Sequence, residues 1–359
     1  MIMEEAINSI SVLKSGLQKF EAYIVSSAEN IRYLTDFSLD DGYLIITDKK
    51  AYLFADGRYI EAAENEAKNC DEIVLLKKAS EQLNEILKNA GVSRVYAEGE
   101  KLSVADFQSL KKWLECEIKS EKTDDEIKAL RRVKSQEEKS RIIAAQRIAE
   151  RAFEHILTFI KEGVTENEIR LELEYFMLKN GAEDLSFKTI AISGKNTSMP
   201  HGVPTDKKVE KGDFVTMDYG AMVKGYHSDM TRTVAVGFVR EKQIEIYNTV
   251  LAAQQSCYEA VKAGISCKDA DAAARQVIED AGYGQFFTHS TGHGVGIDIH
   301  EAPNLSPRSE LILKAGDVVT DEPGIYIPGV FGVRIEDMLY VTEDGCENLT
   351  KAEKSLIVL

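Results

Sequence analysis

The chain has few cysteines and few prolines, and it lacks a long apolar run. Its five cysteines are odd in number, lie far apart and form no CxxC pair, so we interpret them as packing residues in a reducing compartment. No segment approaches the roughly 18 consecutive apolar residues of a membrane helix. The first ten residues contain acidic residues, whereas a secretory signal peptide begins with basic residues. We therefore expect a cytoplasmic protein.

Basic residues are outnumbered by acidic ones. The sequence has 44 Lys and Arg residues against 60 Asp and Glu residues, which gives a net charge of −16. Such a chain repels phosphate backbones and anionic lipid surfaces, so we expect neither nucleic acid nor membrane as a partner. The nucleotide-binding pattern GxGxxG is absent, and no GKS or GKT follows the HGVG segment. The composition, 44% hydrophobic and 29% charged, is typical of a globular protein.

The length of 359 residues favours two domains. Residues 117–141 are dense in both charge signs and poor in large apolar residues, unlike the sequence on either side. Before this stretch, short apolar bursts alternate with helical patterns, which predicts a small α/β domain. The sequence therefore predicts an N-terminal domain over 1–122, an exposed charged linker over 123–134 and a second domain over 135–359.

The second domain contains an internal repeat. Capping boxes begin at Thr165 and Ser266, and the helices that follow are predicted to end at Gly181 and Gly282, so both pairs are 101 residues apart. The repeat continues into β-rich segments, where KGDFVTMD matches AGDVVTDE. With only two copies a solenoid is excluded. We expect one α+β domain whose halves are related by a pseudo-twofold axis.

Each half of the repeat supplies two carboxylates at equivalent places. Asp218 and Glu322 end apolar segments, and Asp229 and Glu336 each follow a glycine by four residues. A pseudo-twofold fold would bring these four acids together, where they repel one another unless cations or protons neutralise them. Two divalent metal ions bridged by carboxylates would remove that repulsion.

The histidines support a metal site. The chain has six, and five fall in one stretch: His201, His227, His289, His293 and His300. Taken singly, an acid at a strand end is usually a turn or cap residue, and a lone histidine is usually a satisfied polar residue. The repeat-related acids and the clustered histidines together favour a functional site.

Five motifs carry a family resemblance. MDYG, GYHSDMTRT, STGHGVGIDIHE, DEPGIYIPG and VRIED, in this order, resemble the pita-bread metallopeptidases, specifically the branch of Xaa-Pro aminopeptidases and prolidases. In the N-terminal domain, ENIRYLTDFSLDDGYLIIT and FADGRY resemble the creatinase-like domain of those enzymes. The resemblance implies a pita-bread catalytic domain after a creatinase-like domain. Because that domain usually packs against a neighbouring chain in this family, we expect a homodimer.

The resemblance implies a dinuclear metal site. Asp218 would be a bidentate ligand of one metal, Asp229 and Glu336 would bridge both, and His293 with Glu322 would complete the other. Oxygen-rich ligation with one imidazole favours Mn, with Co, Fe and Zn as alternatives.

The resemblance also implies roles around the substrate. Glu322 would accept a proton from the attacking water and relay it to the leaving nitrogen, while His201 and His300 would donate to the oxyanion and neighbouring substrate groups. Arg334 would orient a ligating carboxylate from behind, and His289 would lie near the pocket mouth. We interpret Phe187 and Ile299 as walls for the proline ring, with core packing as an equal alternative.

One position departs from the family pattern. Residue 321 is usually uncharged there, but this chain has Asp321 directly before Glu322. Strand alternation predicts that its side chain points away from the metals, so we expect no sixth ligand.

The main functional interpretation is a metal-dependent aminopeptidase that cleaves the Xaa-Pro bond at peptide N-termini, with proline-containing peptides as partners. The alternative is a prolidase restricted to Xaa-Pro dipeptides, and no sequence pattern decides between the two. A catalytically inactive peptide-binding module and a creatinase-type amidinohydrolase are remote alternatives, because neither needs all five ligand residues that this chain retains.

Overall fold

The computed structural model describes residues 8–359. Residues 1–7, which hold most of the acidic start that argues against a signal peptide, lie outside the described residues. The chain divides into two compact units between Arg131 and Arg132. Within residues 8–359, no helix combines the length and the apolar character needed to cross a membrane.

The first unit is an α/β domain built on a six-stranded sheet with the order β4-β3-β2-β1-β5-β6. All five residues of the central strand β1 are buried, because apolar clusters cover both faces of the sheet. This confirms the predicted alternation of strands and helices. Its elements are α1 Ser9–Gly16, β1 Glu21–Val25, α2 Ala28–Thr35, β2 Gly42–Thr47, β3 Ala51–Ala55, α3 Ile60–Glu66, β4 Glu72–Leu75, α4 Ala79–Asn89, β5 Arg94–Ala97, α5 Val104–Trp113, β6 Glu117–Lys119 and α6 Thr123–Arg132.

The segment 123–134, expected as an exposed charged linker, is largely helical and partly buried. Helix α6 occupies Thr123–Arg132, and Ile127 is buried in the apolar core of the first unit. Asp124 accepts a hydrogen bond from the backbone N–H of Gly99 at 2.6 Å. The expectation of exposure was wrong because polar residues of the helix are buried beside Ile127: Arg131, for example, is buried and donates a hydrogen bond to Asn30 Oδ1 at 2.8 Å.

The second unit contains four long helices and several antiparallel ladders. Two sheets have three strands each, in the orders β12-β9-β8 and β11-β10-β7. One sheet has five strands in the order β14-β13-β15-β18-β19, and β16 pairs with β17 in a two-stranded sheet. Its elements are α7 Gln136–Phe159, α8 Glu166–Lys179, β7 Asp184–Leu185, β8 Ile190–Ser193, a 3₁₀ turn Gly194–Ser198, β9 Phe214–Tyr219, β10 Ala221–Val223, β11 Tyr226–His227, β12 Met230–Ala235, α9 Glu241–Ala260, α10 Cys267–Asp280, a 3₁₀ turn Gly284–Phe286, β13 Gly292–Gly294, β14 Glu301–Leu305, β15 Val318–Asp321, β16 Gly324–Ile327, β17 Phe331–Arg334, β18 Asp337–Val341 and β19 Cys346–Asn348.

The internal repeat is visible in the helices. Helices α8 and α10 have 14 residues each, and the side chains of Thr165 and Ser266 cap their N-termini. Gly181 and Gly282 follow the two helices with φ values of 101° and 85°, a left-handed conformation that favours glycine. The first half packs α7 and α8 over one apolar cluster, and the second half packs α9 and α10 over another. The predicted duplication is confirmed.

Candidate active site

The four repeat-related acids lie at the ends of paired strands. Asp218 is the penultimate residue of β9, and Asp229 directly precedes its antiparallel partner β12. Glu322 directly follows β15, and Glu336 directly precedes its antiparallel partner β18. Because antiparallel pairing places the end of one strand beside the start of the other, each half presents two carboxylates at one place.

Carboxylates from both halves meet around one imidazole. Single ligand atoms of Asp229, His293 and Glu336 all lie within 4.8 Å of one another. The Nε2 atom of His293 is 3.5 Å from Asp229 Oδ2 and 3.5 Å from Glu322 Oε1. The structure therefore brings together residues that are more than a hundred positions apart in the sequence.

The acids strongly perturb one another. Burial, followed by the charge of Glu336, raises the pKa of Asp229 well above its ordinary value. Burial and the charge of Glu322 do the same to the pKa of Glu336, and burial raises the pKa of Glu322 to about 8. Burial, followed by the charge of His300, lowers the pKa of His293 to about 4. The cluster therefore favours neutral imidazole, the form that binds metals, and it needs positive charge for its acids to ionise together.

The donor set fits divalent metal ions. Asp218 Oδ1 and Asp229 Oδ1 are buried, and neither has a hydrogen-bond partner among the described residues. Buried polar atoms without a partner are rare in folded proteins. Carboxylate oxygens that accept no hydrogen bond and lie beside a neutral imidazole are suitable metal ligands.

Arg334 links several parts of the site. Its guanidinium donates to Asp218, and its Nη1 donates to the carbonyl oxygen of Pro200 at 3.3 Å. Its Nε donates at 3.0 Å to Thr231 Oγ1, which in turn donates to Glu336 Oε2 at 2.7 Å. Arg334 thus contacts one acid directly and another through the Thr231 hydroxyl, and its role in orienting a metal ligand stays a prediction.

A cavity of about 250 Å³ opens beside the acids. Three histidines predicted to face the substrate, His201, His289 and His300, line this cavity. The described residues that line it do not include Phe187 or Ile299, both of which are half-buried. The expectation that Phe187 and Ile299 form the walls of the cavity therefore lacks support, since strand and loop geometry places other residues there. The full lining is Pro200, His201, Asp218, His289, Ser290, Gly292, His293, His300, Asn304, Glu322 and Arg334.

Tyr326 is a site residue that the sequence interpretation missed. Its hydroxyl accepts a hydrogen bond from Arg334 Nη1 at 2.9 Å and lies 2.8 Å from His289 Nε2. His289 Nδ1 lies 2.8 Å from the carbonyl oxygen of Ser290, so a proton on Nδ1 leaves Nε2 free to accept from Tyr326. Burial, followed by the charge of Arg334, lowers the pKa of His289 to about 4. Tyr326 stands in the DEPGIYIPG motif, four residues after Glu322, which was the available signal.

Asp321 points away from the acid cluster, as strand alternation predicts. It is fully buried and pairs in register with Asp337 across β15 and β18. Neither of its carboxyl oxygens accepts a hydrogen bond from a described N–H or O–H group, and its neighbouring polar group is the thiol of Cys257. Burial, followed by the charge of Asp337, raises the pKa of Asp321 well above its ordinary value.

Two models of known protein families match the sequence. The model of metallopeptidase family M24 matches residues 140–343, and that of the creatinase/prolidase N-terminal domain matches residues 16–133. The first match spans more than half of the chain. The chain belongs to metallopeptidase family M24. The M24 model covers the duplicated catalytic unit, and the model of the creatinase/prolidase N-terminal domain covers the preceding α/β domain.

Relatives of this M24 peptidase match over nearly the whole chain. It is 43% identical over 335 residues to the Xaa-Pro dipeptidase of Pyrococcus furiosus, covering 93% of this chain and 94% of the relative. The solved structure of an Xaa-Pro dipeptidase from Bacillus anthracis is 41% identical, with a TM-score of 0.94 and coverage of 99% and 100%. That of an X-Pro aminopeptidase from Thermotoga maritima is 34% identical, with a TM-score of 0.91 and coverage of 97% and 100%.

Proposed function

We propose that this M24 metallopeptidase is a metal-dependent Xaa-Pro dipeptidase, that is, a prolidase. The observation that carries the proposal is its full-length similarity, at 34% to 43% identity, to several proteins named Xaa-Pro dipeptidase or prolidase. The X-Pro aminopeptidase of Thermotoga maritima is matched at 34% identity. The comparisons thus favour the alternative interpretation of the sequence over the aminopeptidase interpretation. A cavity of about 250 Å³ is below the size usual for larger ligands, in keeping with a small peptide.

The metal ligands of the proposal are those named from the sequence: Asp218, Asp229, His293, Glu322 and Glu336. Charge supports two divalent ions, because four carboxylates face the single guanidinium of Arg334 and one divalent ion would leave a net negative centre. The metal identity stays a prediction, with Mn favoured over Co, Fe and Zn. When bound, the ions supply Lewis-acid polarisation of the substrate carbonyl and activation of a water molecule.

The side chains around the cavity divide the remaining work. Glu322 holds a proton at its carboxylate and passes it to the proline nitrogen, which has no hydrogen of its own in the Xaa-Pro bond. The imidazoles of His201 and His300 line the cavity and donate to the carbonyl oxygen as it becomes an oxyanion. Arg334 and Tyr326 hold Asp218 and His289 in place through their hydrogen bonds.

The test compares substrates that differ in one feature. The metal-loaded protein should cleave Ala-Pro with a kcat/KM at least tenfold above that for Ala-Pro-Ala, because a dipeptidase selects a free carboxylate directly after proline. Ala-Pro amide, which has the size of the dipeptide but lacks its charge, separates recognition of the carboxylate from recognition of length. Ala-Ala is the control for proline specificity. Equal or faster cleavage of Ala-Pro-Ala would instead establish an aminopeptidase.

A further inference from the structure

A buried ion pair lies behind the loop that carries His300. Lys134 Nζ is 2.6 Å from Glu301 Oε1; the lysine side chain is fully buried and that of Glu301 is 10% exposed. The same ammonium donates to the carbonyl oxygen of Arg132 at 3.2 Å, and the backbone N–H of Lys134 donates to the carbonyl oxygen of Gly316 at 2.9 Å. Lys134 is therefore fixed at both its backbone and its side chain.

The Glu301 carboxylate shapes the loop between β13 and β14. Its Oε1 lies so close to Gly296 that a Cβ atom there would force the carboxylate to shift. Its Oε2 accepts from the backbone N–H of Asp298 at 3.5 Å, and the N–H of Gly296 donates to the carbonyl oxygen of Asp298 at 3.1 Å. The loop is thus folded around one carboxylate.

His300 directly precedes Glu301 and points the other way. Glu301 is directed into the protein, whereas His300 lines the substrate cavity. The ring of His300 packs edge-on against that of His293, with centroids 4.3 Å apart. Because His300 is joined to Glu301 by one peptide bond, a shift of the backbone at Glu301 moves the His300 ring relative to the cavity.

We propose that Lys134 and Glu301 are positioning residues that hold His300 at the substrate. Neither contacts the cavity, and they act through the backbone that joins Glu301 to His300. Removing one partner leaves a buried charge unpaired and loosens the loop. Removing both charges spares the fold that penalty but still takes away the ion pair that fixes Glu301. The inference rests on the proposed function, since that assigns His300 its donor role.

The kinetic test is a double-mutant cycle. Glu301→Gln, Lys134→Met and the variant with both changes should each lower kcat for Ala-Pro at least fivefold, with KM within twofold of wild type and unchanged metal content. In a His300→Ala background, Glu301→Gln should change kcat less than twofold, because its effect passes through His300. An equal loss in both backgrounds, or a kcat within twofold of wild type in all three variants, would overturn the proposal.

A matched control and a measurement without turnover complete the test. Lys139→Met removes another Lys–Glu pair of the second unit, with Glu347, outside the residues that line the cavity, and should leave kcat within twofold. With only six histidines, ¹³C-histidine labelling resolves the imidazole signals. Glu301→Gln should shift the signal of His300 and not that of His155; an unmoved His300 signal would refute the positioning role even in a protein that cleaves no Xaa-Pro peptide.

Discussion

Asp321 is expected to destabilise the fold, so its replacement by valine should stabilise it. The side chain is fully buried in a strand, and neither oxygen accepts a hydrogen bond from a described N–H or O–H group. Its neighbouring polar group is the Cys257 thiol, a weak donor, and a buried polar group that lacks a strong hydrogen-bond partner costs about 1–3 kcal/mol. Valine suits a buried strand, and the change removes that cost. For a unit of this size, Asp321→Val should raise the melting temperature by about 2 to 12 °C.

Its cross-strand partner supplies the opposite expectation. Asp337, which pairs with Asp321 across β15 and β18, accepts hydrogen bonds from Arg232 at 2.8 Å and from Lys354 at 2.9 Å. Asp337→Val leaves two cations without their acid and should cost about 3–5 kcal/mol. The same substitution at two paired positions should therefore change stability with opposite sign.

The assay must separate the two units and exclude metal effects. Calorimetry in excess chelator reports the second unit without a contribution from metal binding. The sole tryptophan, Trp113, lies in α5 of the first unit, so its fluorescence is an internal control that should not change. An unchanged or lowered melting temperature in Asp321→Val would refute the reasoning, as would a stabilised Asp337→Val.

Three further predictions address the metal site and assembly. The purified protein should bind two divalent ions per chain, as counted by elemental analysis, and it should lose activity on chelation. Asp229→Asn should lose metal. Full activity after exhaustive demetallation would contradict the dinuclear site. His293→Ala should lose metal. His300→Ala should keep both ions while kcat falls at least tenfold, since removing one oxyanion donor commonly lowers kcat about 100-fold. The reverse pattern would mean that the two histidines exchange their roles. Light scattering at micromolar concentration should give a dimer mass, and a monomer mass would count against the expected homodimer.

The repeat is why so much of the catalytic unit could be predicted. Capping boxes and glycines define helix ends through local hydrogen bonds and backbone conformation, so Thr165, Ser266, Gly181 and Gly282 give α8 and α10 almost to the residue. The four acids occupy equivalent places in the two halves of the repeat. Because a pseudo-twofold axis relates the halves, equivalent places near the axis lie close together. The cytoplasmic location stays a prediction.

Features that depend on tertiary contacts could not be predicted in this way. The burial of α6 depends on Ile127 entering a core whose other members are distant in sequence. Phe187 and Ile299 were selected by apolar character beside motif residues, but that criterion carries no information on which loop faces the cavity. Tyr326 was missed because its role depends on Arg334 and His289, which strand pairing and a loop bring to its hydroxyl.

Two neighbouring residues show why the site requires charge from outside the chain. Burial alone would raise the pKa of Asp337, but the charges of Arg232 and Lys354 outweigh burial and lower this pKa below its ordinary value. For Glu336, burial and the acids around it prevail and the pKa rises, although Arg334 acts in the opposite direction. Both carboxylates are buried to the same degree, so the difference is the number of cations that the chain supplies to each of them. Around Asp337, protein cations balance the acid. Around Glu336, the chain leaves a deficit of positive charge, which divalent ions can fill.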